Sequence, residues 1–113
     1  MMKEFMLLIR EEMSRQLEMS QEAMQAEIEE YTAWVEGPSE TDNYGGGDPL
    51  DGGGRYINAD GVQTDGPFIE SKEAVMGYII LKANDIDHAT ELARGCPVFK
   101  YGGAAELREI MKM

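Results

Sequence analysis

Residues 64 to 73 read TDGPFIESKE, and Asp65 is the side chain there best suited to acid–base chemistry. A carboxylate held by a rigid corner in a half-apolar cleft has its pKa raised toward general acid–base use. Asp65-Gly66-Pro67 supplies such a corner, and Glu70, Lys72 and Glu73 place charge partners in the same segment. Asp65 is therefore the candidate catalytic residue. Asp65, Gly66, Pro67, Phe68, Glu70 and Lys72 form the candidate ligand-binding set. A purely architectural reading stands beside this one. Asp favours turns because its side chain bonds backbone amides two positions on. Gly66, preceding Pro67, is driven to extended conformations that cost glycine nothing. On that reading the corner only aims Phe68 into the core, and the charges after it form a solvated face.

Other reactive side chains are sparse. His88 is the sole histidine and lies between Asp87 and Glu91, the setting of an exposed helical residue rather than a proton shuttle. Cys96 is the sole cysteine, which excludes an internal disulfide or a cysteine-built zinc site. No basic cluster surrounds it in sequence to lower its pKa, so packing is its expected role. YGGGDPLDGGG, residues 44 to 54, is glycine-rich but lacks the Lys-Ser/Thr ending and following helix of a phosphate loop. It reads as a flexible connection or an irregular edge strand. The acids Asp48, Asp51 and Asp60 do not follow calcium-loop spacing, and no metal or cofactor is expected. Tyr31, Trp34, Tyr44, Tyr56 and Tyr78 are available to line an aromatic pocket, although Tyr31 and Tyr78 read more simply as core or interface.

The elements that must position these groups follow from periodicity. Residues 3 to 10 form a short apolar run, read as a strand. Ser20 caps a helix whose stripe is Met24, Ile28, Tyr31 and Val35, with Gly37-Pro38 expected to stop it. Asp60-Gly61 turns a hairpin within residues 55 to 64. Residues 77 to 83, GYIILKA, are the strongest strand signal. Asn84 or Asp85 caps a second helix that turns Ile86, Ala89, Leu92 and Ala93 inward, and residues 106 to 110 close as a strand. The order β-α-hairpin-β-α-β predicts an α+β, ferredoxin-like sandwich with an extra hairpin in one domain, residues 1–113. Residues 5 to 9 and 78 to 81 are apolar at both alternating positions, whereas a sheet covered on one face alternates with polar residues. A second copy of the chain is the expected cover, making the protein a homodimer.

DGPFIESKE followed by GYIILKA resembles the signature of the DGPF-domain branch of the YCII-related proteins. The opening KEFMLLI, the helix MSQEAMQAEIEEYTAWVE and the close ARGCPVFKYGGAAELREIMKM extend the likeness over almost the whole chain. The resemblance implies a ferredoxin-like βαββαβ unit pairing as a dimeric α+β barrel. It also implies an Asp, helped by a His, in a pocket at the dimer cleft. Asp65 matches the Asp; no histidine of this chain matches the His.

With 22 acidic against 10 basic side chains the net charge is −12, which repels phosphate backbones and anionic lipid. Neither nucleic acid nor membrane is an expected partner. The N-terminal residues lack a signal-peptide pattern, so the cytosol is the expected compartment. Two functions are consistent with these features. One is a dimeric module binding a small ligand or a regulatory partner near the DGPF segment. The other is a cofactor-independent enzyme using Asp65 as general acid or base on a small aromatic or carbonyl compound.

Overall fold

The computed structural model describes residues 2–12, 14–15, 18–51, 53–63 and 73–113. Strand β1, Lys3–Glu12, and strand β5, Glu73–Ala83, are the longest strands and pair antiparallel at the centre of the sheet. β2, Tyr44–Pro49, joins the free edge of β5, and β6, Ala104–Glu109, joins the free edge of β1. The four-stranded sheet thus runs β2-β5-β1-β6, every neighbouring pair antiparallel. A separate two-stranded ribbon comprises β3, Tyr56–Asn58, and β4, Gly61–Gln63. The mixed α+β architecture and this strand order are consistent with a ferredoxin-like arrangement.

Two helices lie on one face of the sheet. α1, Gln21–Glu40, begins at Ser20, whose side chain accepts from the Ala23 amide. α2, Ile86–Ala93, begins at Asp85, which caps the His88 amide in the same way. Each cap satisfies an amide that the first turn leaves without a helical partner. Ala89 and Ala93 bring α2 down on the sheet, where the small side chains allow close approach. Leu7, Ile9, Ile79, Leu81, Ala93, Cys96 and Val98 make the main core, with Tyr31 and Trp34 of α1 packed against it. Phe5, Ala83 and Ala89 form a second buried group. Cys96 is buried, in keeping with a packing role. Its burial, together with that of Val98, is set by a 3₁₀ turn, Pro97–Tyr101, which Gly102 ends in a left-handed conformation.

Two expectations require correction. Pro38 does not stop α1, which continues to Glu40. A proline one turn from the end removes only one helical donor, and Pro38 itself is buried with its carbonyl accepting from Asn43 N–H at 2.6 Å. The helix ends where Asp42 takes a left-handed φ of 59°, a conformation short polar side chains tolerate. The hairpin stands apart from the main sheet, and the glycine-rich stretch forms the edge strand β2, one of the two roles its sequence suggests. Its glycines permit that pairing: a Cβ on Gly47 would sit 2.4 Å from the Tyr78 carbonyl oxygen. The second correction is Ile86, which is exposed rather than inward-facing.

Candidate functional site

β1 extends two residues past its apolar run, and the inward alternation of Phe5, Leu7 and Ile9 continues to Glu11. A carboxylate is thereby carried onto the helix-covered face, where only 8% of the residue is exposed. Gly103 is the residue that makes room for it. A Cβ there would lie 2.8 Å from the Arg10 carbonyl oxygen and 3.1 Å from Glu11 Cγ.

Above this end of β1, the N-terminal half of α1 does not close on the sheet. Met24 and Ile28 belong to the helix's apolar stripe, yet they remain 37% and 40% exposed. Two adjoining cavities open beneath them, of about 180 and 400 Å³, sharing Ile28, Tyr31 and Pro49 in their walls. Together they form a groove between α1, β2 and β5. The smaller part is floored by Ile9 and Ile79 and includes Tyr44. The larger part is walled by Met19, Met24, Leu50 and Met76 and reaches Glu11, Glu27 and Asp51.

Glu11 and Glu27 share one cation. Nη1 of Arg15 lies 3.1 Å from Glu11 Oε2 and 2.9 Å from Glu27 Oε1. The guanidinium rests on the Tyr101 ring, 4.2 Å from its centroid, which holds it in place. Tyr101 in turn donates to Glu30, and Lys100 pairs with the same carboxylate at 3.3 Å. The hydrogen bond from Tyr101, with help from Lys100, keeps Glu30 below the usual carboxylate range. Glu11 moves the other way. Burial pushes its pKa up and the Glu27 charge adds to this, and Arg15 only partly offsets both. Tyr31 has its hydroxyl buried against the Cys96 thiol without a well-aligned hydrogen bond, and burial raises both groups above their ordinary values. The groove therefore reaches a carboxyl whose pKa burial raises, beside a phenol that keeps its proton.

The residues singled out in the sequence stand differently. Asp65, Gly66, Pro67, Phe68, Glu70 and Lys72 lie outside the described residues. What is described is their point of attachment: β5 starts at Glu73, paired with Glu12 and so next to Glu11. His88 is partly buried rather than exposed. Its Nδ1 accepts from Asn84 N–H at 3.1 Å, so it serves the start of α2. Of the aromatic candidates, Tyr31 and Tyr44 border the groove, Tyr78 donates its hydroxyl to Asp48 on the opposite sheet face, Trp34 packs on the core, and Tyr56 belongs to the hairpin. Among the described residues no group of three or more His, Cys, Asp or Glu is placed to hold a metal ion. No described helix is long and apolar enough to cross a membrane.

Sequence reasoning missed Glu11, Arg15 and Glu27. The signal for Glu11 was the odd-numbered inward register of β1, which only becomes informative once the strand is known to run past Arg10. Arg15 and Glu27 carry no such signal, because twelve residues separate them and the fold alone brings them together.

No curated protein matches the chain. The model of the YCII-related domain, in contrast, matches residues 4–113, which takes in the sheet, both helices and the groove between them. By that match the chain belongs to the YCII-related domain family.

Proposed function

We propose that the protein is a dimeric small-ligand-binding module whose site is the groove between α1 and the sheet. The observation that carries this reading is the groove's composition: apolar walls over most of its length and convergent polar groups, Glu11, Glu27 and Tyr31, at one end. Ligand sites in general combine an apolar lining with a few placed polar groups. The chain is assigned here to the DGPF branch on its DGPFIESKE segment. Asp65 belongs to the site on this reading, because the segment enters β5 beside Glu12. The ferredoxin-like unit pairs through the sheet face that no described helix covers, where Met6 and Ile80, and Leu8 and Tyr78, stand opposite one another. A second copy covering those side chains produces a dimeric α+β barrel in the cytosol.

The test uses the uncharged probe 3-phenylpropan-1-ol and amide chemical shifts of the labelled protein. Shifts should concentrate at Ile28, Tyr31 and Ile79, and Ile28→Trp, which fills the groove, should abolish them. Shifts confined to other parts of the molecule would remove the groove from consideration.

A catalytic use of the same site has one observation in its favour, the buried Glu11 carboxyl with its raised pKa. A cofactor-independent enzyme would use Glu11, or Asp65 as the sequence suggests, to move a proton on a carbonyl compound. The expected result is deuterium exchange at the carbon next to the carbonyl of 4-phenylbutan-2-one in heavy water, lost in Glu11→Gln or in Asp65→Asn. Exchange no faster than in buffer leaves the binding module as the function.

A further inference from the structure

We propose that the groove selects ligands carrying a positive charge on an apolar body, that is, small aromatic or alkyl amines. The inference rests on the groove being a ligand site and concerns what it accepts. The first observation is the sign of the ionisable groups in the walls. Glu11, Glu27, Asp48 and Asp51 appear there, and none of the described lining residues is basic. Asp48 is set aside, because its register with Tyr78 places it on the opposite sheet face, where it accepts the Tyr78 hydroxyl at 3.0 Å.

The second observation is the stoichiometry at the acidic part of the groove. One guanidinium serves two carboxylates through a single nitrogen, Nη1 of Arg15. With both acids ionised the trio carries one uncompensated negative charge. Both carboxylates are largely withdrawn from solvent, with side chains 11% and 12% exposed. A charge in that position is costly unless paired. A proton on Glu11 removes it in one way, in keeping with the raised pKa of that group. A ligand ammonium removes it in another, while keeping both acids ionised as acceptors. An anionic ligand has no such place. Arg15 is already shared between two acids and seated on Tyr101, so a carboxylate would have to displace a partner and add to the surplus.

The third observation is the lining beyond the acids. Met19, Met24 and Met76 surround this part of the groove with Tyr31. Methionines adapt their shape to irregular apolar bodies, and an aromatic face adds attraction for a cation.

The experiment compares three probes with one carbon skeleton: 3-phenylpropylamine, 3-phenylpropan-1-ol and 3-phenylpropanoate, each titrated into wild-type protein by calorimetry and amide shifts at pH 7. The amine should bind about tenfold tighter than the alcohol, since charge-assisted hydrogen bonds are roughly twice as strong as neutral ones. The carboxylate should bind more weakly than either. Glu27→Gln should abolish the roughly tenfold difference between amine and alcohol, with circular dichroism confirming the fold. Equal affinity for amine and alcohol in the wild type, or preference for the carboxylate, overturns the charge selectivity and leaves the groove as a neutral site. Absence of binding by all three overturns the groove reading as well.

Discussion

The two faces of the sheet are built from alternate residues of the same strands and of the same apolar kind, yet they have different fates. On the helix-covered face Phe5, Leu7, Ile79 and Leu81 are buried to within a few per cent. On the other face Met6, Leu8, Tyr78 and Ile80, one position along in each case, are only partly buried. Chemistry does not separate the two sets; what covers them does. Two-sided apolarity in β1 and β5 leaves one face in want of a cover, and among the described residues the helices cover only the other. The polar neighbours of the open face sit at its margin. Glu106 pairs opposite Leu8 and Arg108 opposite Met6 on the edge strand β6, a polar rim around an apolar centre of the sort interfaces show.

The largest contrast between the faces should appear on truncation. Phe5 has no exposed surface, and Phe5→Ala should destabilise the fold by about 3–5 kcal/mol through lost burial and the cavity left behind. Each kcal/mol moves the melting temperature of a domain this size by roughly 4–8 °C, so the variant should melt tens of degrees lower or fail to fold. Met6→Ala, its neighbour on the open face, should cost far less in dilute protein. Equal losses for the two in thermal unfolding would show that the open face is as constrained as the core.

A charge separates the faces in a second way. Ile80→Glu puts a carboxylate at the centre of the open face, directly across from Met6. If that face is the dimer interface, burying an unpaired charge there should weaken association by roughly a hundredfold or more. The protomer should stay folded, because the side chain remains in water once the copies part. Sedimentation should show a shift from dimer toward the 12.6 kDa species, with unchanged circular dichroism. A variant that still sediments as the wild type does would place any self-association elsewhere.

These contrasts also mark what the amino-acid sequence makes legible. Caps and periodicity locate both helices, because Ser20 and Asp85 act through bonds within three residues. The central strands are legible from their apolar runs. β2 is harder: glycine has low strand propensity, and Gly47 is required by the close approach to β5, a tertiary fact. The reach of α1 past Pro38 depends likewise on Asp42 and Asn43 downstream. The groove is the least legible part. Its walls are the helical stripe that periodicity assigns to the core. Nothing local says that Met24 and Ile28 stop short of the sheet, or that Arg15 bridges Glu11 and Glu27.

The smallest effect is also the one that sets the groove apart from the two faces. Glu11 occupies a core position of β1 with a carboxylate, and burial holds its pKa above the ordinary value of 4.5. A group with a raised pKa in the folded state gives stability in full below its unfolded pKa and loses it as pH rises through the folded value. Wild type should thus lose the Glu11 contribution between about pH 4.5 and the raised value, whereas Glu11→Gln has no such titration. The melting temperature of the variant minus that of wild type should grow as the pH climbs from 4 toward neutrality, by a few degrees at most, roughly the scale of a single modest substitution. Glu27→Gln in the same series should flatten wild-type behaviour, since the Glu27 charge is the second cause of the shift. The contrary result is equally readable. If the bond to Arg15 outweighed burial, ionised Glu11 would stabilise the fold, and the difference would instead shrink as the pH rises. That outcome would recast Glu11 as a settled ion pair holding the end of β1 against α1, with no proton to exchange for a ligand's charge.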